Sequence, residues 1–199
     1  MWTKLRIVVF QLCLITLTQA TEYQFKIDDE GVYRPCENQP GNPSNVDALL
    51  DMSKLKVATH GGVLEIEGEP PVIWKDVQPG DTITFLGQIY RMEHNTWQKT
   101  MFSASSKNFC RNMFEKGQLW YQFWTQHITN SDEIKTKCLN TPGAVLKIEK
   151  YQLEMKANVN IPSFEGRYKL VILLEAFDKR NTKRPVSICT EIRGNMVKV

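Results

Sequence analysis

Apolar and polar residues alternate along most of this chain, the period-2 pattern of half-buried strands. Tyr23, Phe25 and Ile27 open it. Residues 55–59 and 63–67 flank Gly61-Gly62, the spacing of a hairpin. After the turn-forming Gln78-Pro79-Gly80-Asp81 comes TITFLGQIYRM. It carries Ile83, Phe85 and Ile89 on one face and Leu86, Tyr90 and Met92 on the other. Two partly apolar faces predict a strand in the interior of its sheet. Residues 145–155 form another long strand candidate. Its apolar face shifts phase from Leu146 and Ile148 to Tyr151, Leu153 and Met155, and a bulge near Glu149-Lys150 absorbs such a shift. Residues 167–177 are the strongest strand, apolar on both faces, and 186–192 return after a turn at 178–185. Residues 38–44, NQPGNPS, read as loop.

One stretch breaks the alternation. In residues 109–128, FCRNMFEKGQLWYQFWTQHI, Phe109, Cys110, Met113 and Phe114 fall at i, i+1, i+4 and i+5. Leu119, Trp120, Phe123, Trp124, His127 and Ile128 repeat that spacing after Gly117. This is the 3.6-residue period of an amphipathic helix, interrupted by a glycine suited to a helix end. Trp120, Tyr121, Phe123 and Trp124 crowd into five positions. Aromatic stripes at helical spacing usually pack as core; the alternative is the wall or lid of an apolar cavity. The pattern predicts one β-rich domain, with strands before and after a central helical insert. No repeat, low-complexity segment or interdomain linker divides it.

The N-terminus adds a compartment. MWTKLRIVVFQLCLITLTQA has a charged start at Lys4 and Arg6, an apolar run too short to span a bilayer, and a small-residue cleavage site at Thr18-Gln19-Ala20. Residues 1–20 read as a secretory signal peptide, with a signal anchor as the rival, and 21–199 as the folded domain. No later segment approaches the roughly 20 apolar residues of a spanning helix, and the terminal RGNMVKV carries no lipid-anchor signal. Of 25 basic and 22 acidic residues, removing Lys4 and Arg6 leaves 23 against 22, a net charge of +1. Near-neutral charge gives no footprint for nucleic acid. The cluster Lys179-Arg180 with Lys183-Arg184 reads as a solvated hairpin loop. Cys13 leaves with the signal. Cys36, Cys110, Cys138 and Cys189 imply two disulfides, with three pairings open. Their spacing offers no zinc cluster. Proline disqualifies Asn42-Pro43-Ser44 as a glycan acceptor.

Candidate chemistry is sparse. There is no GxSxG elbow, HExxH pair or Walker loop. His60, His94 and His127 stand at unrelated spacings and read as ordinary surface or core histidines. Asp28-Asp29 and Asp132-Glu133 sit beside turn residues and are expected to face water. Nothing marks the pair of carboxylates, about 5–10 Å apart, that a glycosidase needs. No catalytic residue, metal or cofactor is expected. What stands above background is apolar: Trp74, Trp97, Phe102, Phe109, Met113, Phe114, Trp120, Phe123 and Trp124.

The succession YQFKIDDEGVYRPC, NTWQKTMFSASSKNFCRNMF and QLWYQFWTQHITN resembles the insect chemosensory CheB family. The resemblance covers nearly all of residues 21–199, including the four cysteines. Its most specific parts are the W-x-x-T segment at Trp97 to Thr100, Phe109-Cys110 with Met113-Phe114, and the WY-x-x-W helix. That family is itself similar to the ganglioside activator protein, a relative of the lipid-recognition β-cup proteins. The resemblance implies a single antiparallel β-cup or sandwich of about eight strands, with the helical insert over 105–128. It lacks the Cys…Trp…Cys signature of an immunoglobulin sandwich. It also implies a lipid-sized cavity, no catalysis, and secretion into the fluid of gustatory hairs. The expected ligand is a long-chain, apolar contact-pheromone type of molecule, with a chemoreceptor or membrane surface as a further partner.

The expected disulfides are Cys36 with Cys189, resembling the terminal bridge of the activator proteins and joining chain ends that compact domains often bring close, and Cys110 with Cys138, tying the insert to the loop before residue 145. The activator proteins carry more disulfides than this chain can form. The expected cavity wall comprises Phe109, Met113, Trp120, Phe123 and Trp124, with Trp97 and Phe102 near the rim and His127 and Tyr121 as the nearest polar groups. The leading reading is a secreted, non-enzymatic carrier or presenter of an apolar ligand. The rivals are a glycolipid activator serving a hydrolase, and an interaction protein with a filled core and an exposed aromatic patch.

Overall fold

The computed structural model describes residues 20–29, 31–160 and 163–199. The segment read as a signal peptide lies outside them except for Ala20.

The chain runs through β1 (Thr21–Ile27), β2 (Arg34–Pro35), β3 (Leu55–His60), β4 (Val63–Gly68), β5 (Thr82–Glu93) and β6 (Thr96–Ser106). Three short helices follow, α1 (Phe109–Asn112), α2 (Leu119–Phe123) and α3 (Ser131–Lys137). The chain returns through β7 (Ile148–Leu153), β8 (Met155–Val159), β9 (Gly166–Phe177) and β10 (Ile188–Lys198). All strand pairings between these elements are antiparallel. A seven-stranded sheet has the order β6-β5-β9-β10-β1-β8, with β2 on β10, and a second sheet has the order β3-β4-β7. This is the expected antiparallel cup or sandwich with a helical insert, with ten strands among the described residues where about eight were expected.

Turn chemistry sets the hairpins. Gly61 and Gly62 both have positive φ (62° and 84°), the requirement of a two-residue turn between twisted strands. His94 and Asn95 do the same between β5 and β6 at 49° and 62°. Gly80, at φ 95°, closes the Gln78–Asp81 turn, where the Asp81 N–H donates to the Gln78 carbonyl at 3.0 Å.

Three expectations need correction. First, the insert begins at Phe109, because Ser105 and Ser106 still belong to β6. Its first two helices are also shorter than the two amphipathic helices expected. α1 has four residues and α2 five, the latter stopped at Trp124 where φ reaches −144°. Second, Asp28 does not face water: it is partly buried and accepts two bonds from Arg167, whereas Asp29, Asp132 and Glu133 are exposed as expected, the last two opening α3 and pairing with Lys135 and Lys137 at 2.9 and 2.7 Å. Third, the long strand candidate at 145–155 is two strands in two sheets. β7 pairs with β4 and β8 with β1, the chain crossing at Glu154. The phase shift lies where the pattern put it: Ile66 faces Tyr151 and Gly68 faces Ile148, so Glu149 and Lys150 share one position.

Two disulfides close the fold, Cys36–Cys189 and Cys110–Cys138, which is the pairing set out above. The first spans a sequence separation of 153, and in the chain-entropy model such a closure contributes about 5 kcal/mol. The core lies between the two sheets and under the insert. Its fully buried members include Trp74, Phe109, Leu64, Ile83, Met113, Ile134, Leu139 and Leu146. The Trp74 indole is satisfied there by the Val186 carbonyl at 3.0 Å.

Candidate functional site: the concave face of the large sheet

Register assigns each residue of the seven-stranded sheet to a face. Ile83, Phe85, Gly87, Ile89 and Arg91 on β5 lie opposite Ala176, Leu174, Ile172, Leu170 and Tyr168 on β9, so these ten share one face. β5 and β9 each have neighbours on both sides. In a filled sandwich the apolar residues of such strands are shut from water. At one end of this face they are: Ile83 is 0 %, Ala176 1 % and Leu174 5 % exposed. Further along, Phe85, Ile89, Leu170 and Ile172 all keep accessible surface. The face therefore passes from a packed base to an open end.

The base is closed by the insert. Phe85 stacks on Phe109 with ring centroids 5.2 Å apart and meets Trp120 at 5.0 Å. Phe109 contacts Trp120 edge-on at 5.5 Å and stacks on Trp124 at 6.2 Å. The Trp120 indole donates to the Asn112 carbonyl at 3.1 Å, and the buried Thr125 hydroxyl donates to the Met113 carbonyl at 2.6 Å. His127 stacks on Tyr151 at 3.7 Å with Nδ1 3.2 Å from a Glu149 oxygen. Tyr151 in turn donates to the Phe123 carbonyl at 3.2 Å, and burial raises its phenol well above the ordinary value. Cys110–Cys138 ties the start of α1 to the end of α3.

At the other end, a second aromatic group floors a cleft of about 300 Å³, lined by Arg91, Lys99, Met101, Phe102, Phe164 and Tyr168 among others. Phe164 meets Tyr23 at 5.4 Å, Tyr168 at 5.6 Å and Phe102 at 5.8 Å. Phe102 reaches this position through a bulge: Gln88 faces Ser103 and Tyr90 faces Lys99, so Thr100, Met101 and Phe102 all stand opposite Ile89. The buried Gln88 amide holds the bulge by donating to the carbonyls of Ile89, Thr100 and Phe102 at 2.9, 2.9 and 3.1 Å. A separate cleft of about 370 Å³ lies between Lys26–Asp29 and the Gly61-Gly62 turn.

The seven expected site residues therefore fall into separate places. Phe109 and Met113 are fully buried and Trp120 is 6 % exposed, all in the packed base. Trp124 is half-buried against them, and Phe123 is half-buried beside Tyr151. Phe102 lines the open cleft. Trp97 stands beside Met92 on the opposite, convex face, where Lys169 and Arg193 lie over its ring at 5.1 and 5.7 Å. Neither cleft is lined by Phe109, Met113, Trp120, Phe123 or Trp124. Arg91, Phe164 and Tyr168 were not singled out by spacing. The two-residue His94-Asn95 turn sets Arg91 opposite Gln98, but only the bulge beyond Lys99 brings Phe102 to the same cleft, and spacing gave no sign of that bulge.

The convex face carries a charge network. Glu191, fully buried, accepts from Lys169 at 2.7 Å and from Arg193, which also reaches Glu37 at 2.7 Å. Asp28 accepts both Arg167 arms at 2.5 and 2.6 Å, and that bidentate bond holds its carboxyl below the usual range. Among the described residues no cluster of three or more His, Cys, Asp or Glu could hold a metal, and no helix is long and apolar enough to cross a membrane. The two disulfides fit an oxidising, extracellular compartment. No protein-family model matches the chain, and no curated protein matches it.

Proposed function

We propose that this protein is a secreted, non-enzymatic carrier that holds a long-chain, lipid-like ligand against the concave face of its large sheet. One observation carries the reading: Phe85, Ile89, Leu170 and Ile172 lie on the inward face of interior strands yet keep accessible surface. Apolar surface in a concavity is what a chain of methylenes covers, at about 0.8 kcal/mol for each CH₂ buried. The packed base gives such a ligand a stop, and the open end gives it a route in. The resemblance to the chemosensory CheB family supports a role in gustatory or contact-pheromone perception, with presentation to a receptor or membrane surface as the output.

Native mass spectrometry of the purified protein, before and after organic extraction, tests this directly. Release of bound lipid, and saturable binding of a long-chain fluorescent probe to the extracted protein, are the expected results. A protein that yields no lipid and binds no such probe is not a carrier.

A further inference from the structure

The open cleft at the end of the concave face has a charge that a purely hydrocarbon ligand would not use. Arg91 lies over the Tyr168 ring, 5.7 Å from its centroid, and spends one donor on the Glu165 carbonyl at 3.0 Å. A guanidinium has five N–H donors in a planar fork. Among the described residues Arg91 is in no ion pair. The other polar groups are committed: Tyr168 donates to the Phe164 carbonyl at 3.1 Å, Thr100 to the Ile89 carbonyl at 2.8 Å, and Gln98 to the Thr96 hydroxyl at 2.9 Å. Glu93 also borders the cleft, but it is exposed to solvent and forms no ion pair with Arg91 among the described residues, so the free guanidinium donors stay available.

We infer that this cleft receives the head of a monoanionic long-chain amphiphile, a fatty-acid carboxylate, with Arg91 as its cationic contact. The inference rests on the carrier reading above and names the ligand class for it. Phe102 and Phe164 lie at the same cleft, on the path toward Ile89 and Leu170. Arg91 and Phe85 are six residues apart on β5, about 20 Å at the rise of a strand, so the carboxylate and the far end of a long chain fit one face. A neutral hydrocarbon drawn across this mouth would strip water from unused guanidinium donors and return nothing. A carboxylate accepts them in the bidentate geometry Arg favours.

The test compares palmitate with hexadecanol, equal in chain length, by displacement of a fluorescent long-chain probe from the full-length secreted protein. Wild type should bind palmitate about tenfold more tightly than hexadecanol, the scale of one charge-assisted contact. That preference should shrink as salt is raised, because the cleft is partly exposed. Arg91→Gln should remove the preference by weakening palmitate while hexadecanol is held no less tightly, and Arg91→Lys should keep part of it. Thermal melts of both variants check that the loss of the Glu165 contact has not unfolded the mouth. Equal binding of the two ligands by wild type overturns the inference and leaves the carrier reading standing. So does an Arg91→Gln variant that is folded and weakens both ligands alike. Absence of binding by both ligands overturns the carrier reading and the inference with it.

Discussion

Trp120 and Trp124 are four residues apart in one aromatic run, yet the structure assigns them different energies. Trp120 is 6 % exposed, touches Phe85 and Phe109, and has its indole N–H satisfied by the Asn112 carbonyl. A buried tryptophan removes about 150–250 Å² from water, roughly 4–6 kcal/mol at 25 cal/mol per Å², an upper bound because the unfolded chain already hides part of it. Measured truncations of this kind cost about 3–5 kcal/mol, and Trp120→Ala should fall in that range. Trp124 is partly buried, and Phe109 is the ring it stacks on. Trp124 keeps more surface in water than Trp120 but is still largely withdrawn, so Trp124→Ala should cost less than Trp120→Ala, roughly 2–4 kcal/mol. Trp120→Phe keeps most of the ring and loses the hydrogen bond, for about 1 kcal/mol. Urea unfolding followed by far-ultraviolet circular dichroism, with both disulfides intact, measures all three. An unchanged slope against denaturant shows that the unfolded states are comparable. A Trp120→Ala variant within 1.5 kcal/mol of wild type (about half the lower limit expected), or one less costly than Trp124→Ala, would refute the assignment of Trp120 to the packed base.

Two further outcomes test the charged sites. Asp81 is buried and accepts from both Arg184 arms at 2.8 Å and from the Gln78 N–H at 2.8 Å; the Arg184 bonds hold its carboxyl below the usual 3.8. A depressed folded-state value stabilises above the unfolded one, so this contribution is complete above about pH 5 and is lost as the pH falls below about 4. Asp81→Asn should lower stability at neutral pH by about 1–3 kcal/mol and flatten the acid limb of the stability curve; an unchanged acid limb would show that Asp81 does not carry it. On the convex face, Lys169→Met leaves fully buried Glu191 with Arg193 as its remaining cation and should cost about 3–5 kcal/mol. Lys169→Met with Glu191→Leu should cost less than the single change, and chemical unfolding that finds the double variant worse would refute the account.

The strands most legible in the sequence were those with a steady period and recognisable turns. β9 announced itself through apolar residues on both faces, and the β3–β4 hairpin through Gly61-Gly62. β6 was missed because its bulge at Thr100–Phe102 breaks the period of two and because Met101, 86 % exposed, sits where alternation would bury it. α3 was missed for a different reason: seven residues with one buried apolar side chain, Ile134, carry too little periodicity to register. The apolar insert was visible, but spacing could not distinguish a wall from a filling. That distinction depends on what β5 presents to it, and Phe85 fills the space between Phe109 and Trp120. The open cleft needed β6, so Arg91 and Tyr168 could not be joined to Phe102 before the bulge was known.

The same bulge governs how molecules of this protein meet one another at high concentration. β6 forms one border of the large sheet, and a straight border strand of 11 residues would invite a second chain to add itself to the ladder. Here an incoming regular strand can match the backbone groups before Lys99 or those after Ser103, but the extra residues between them put the two halves out of step. Gln88, bonded to three carbonyls across the bulge, keeps the strand from relaxing into a matching register. The irregular border that shapes the cleft thus also denies other copies of the chain a template.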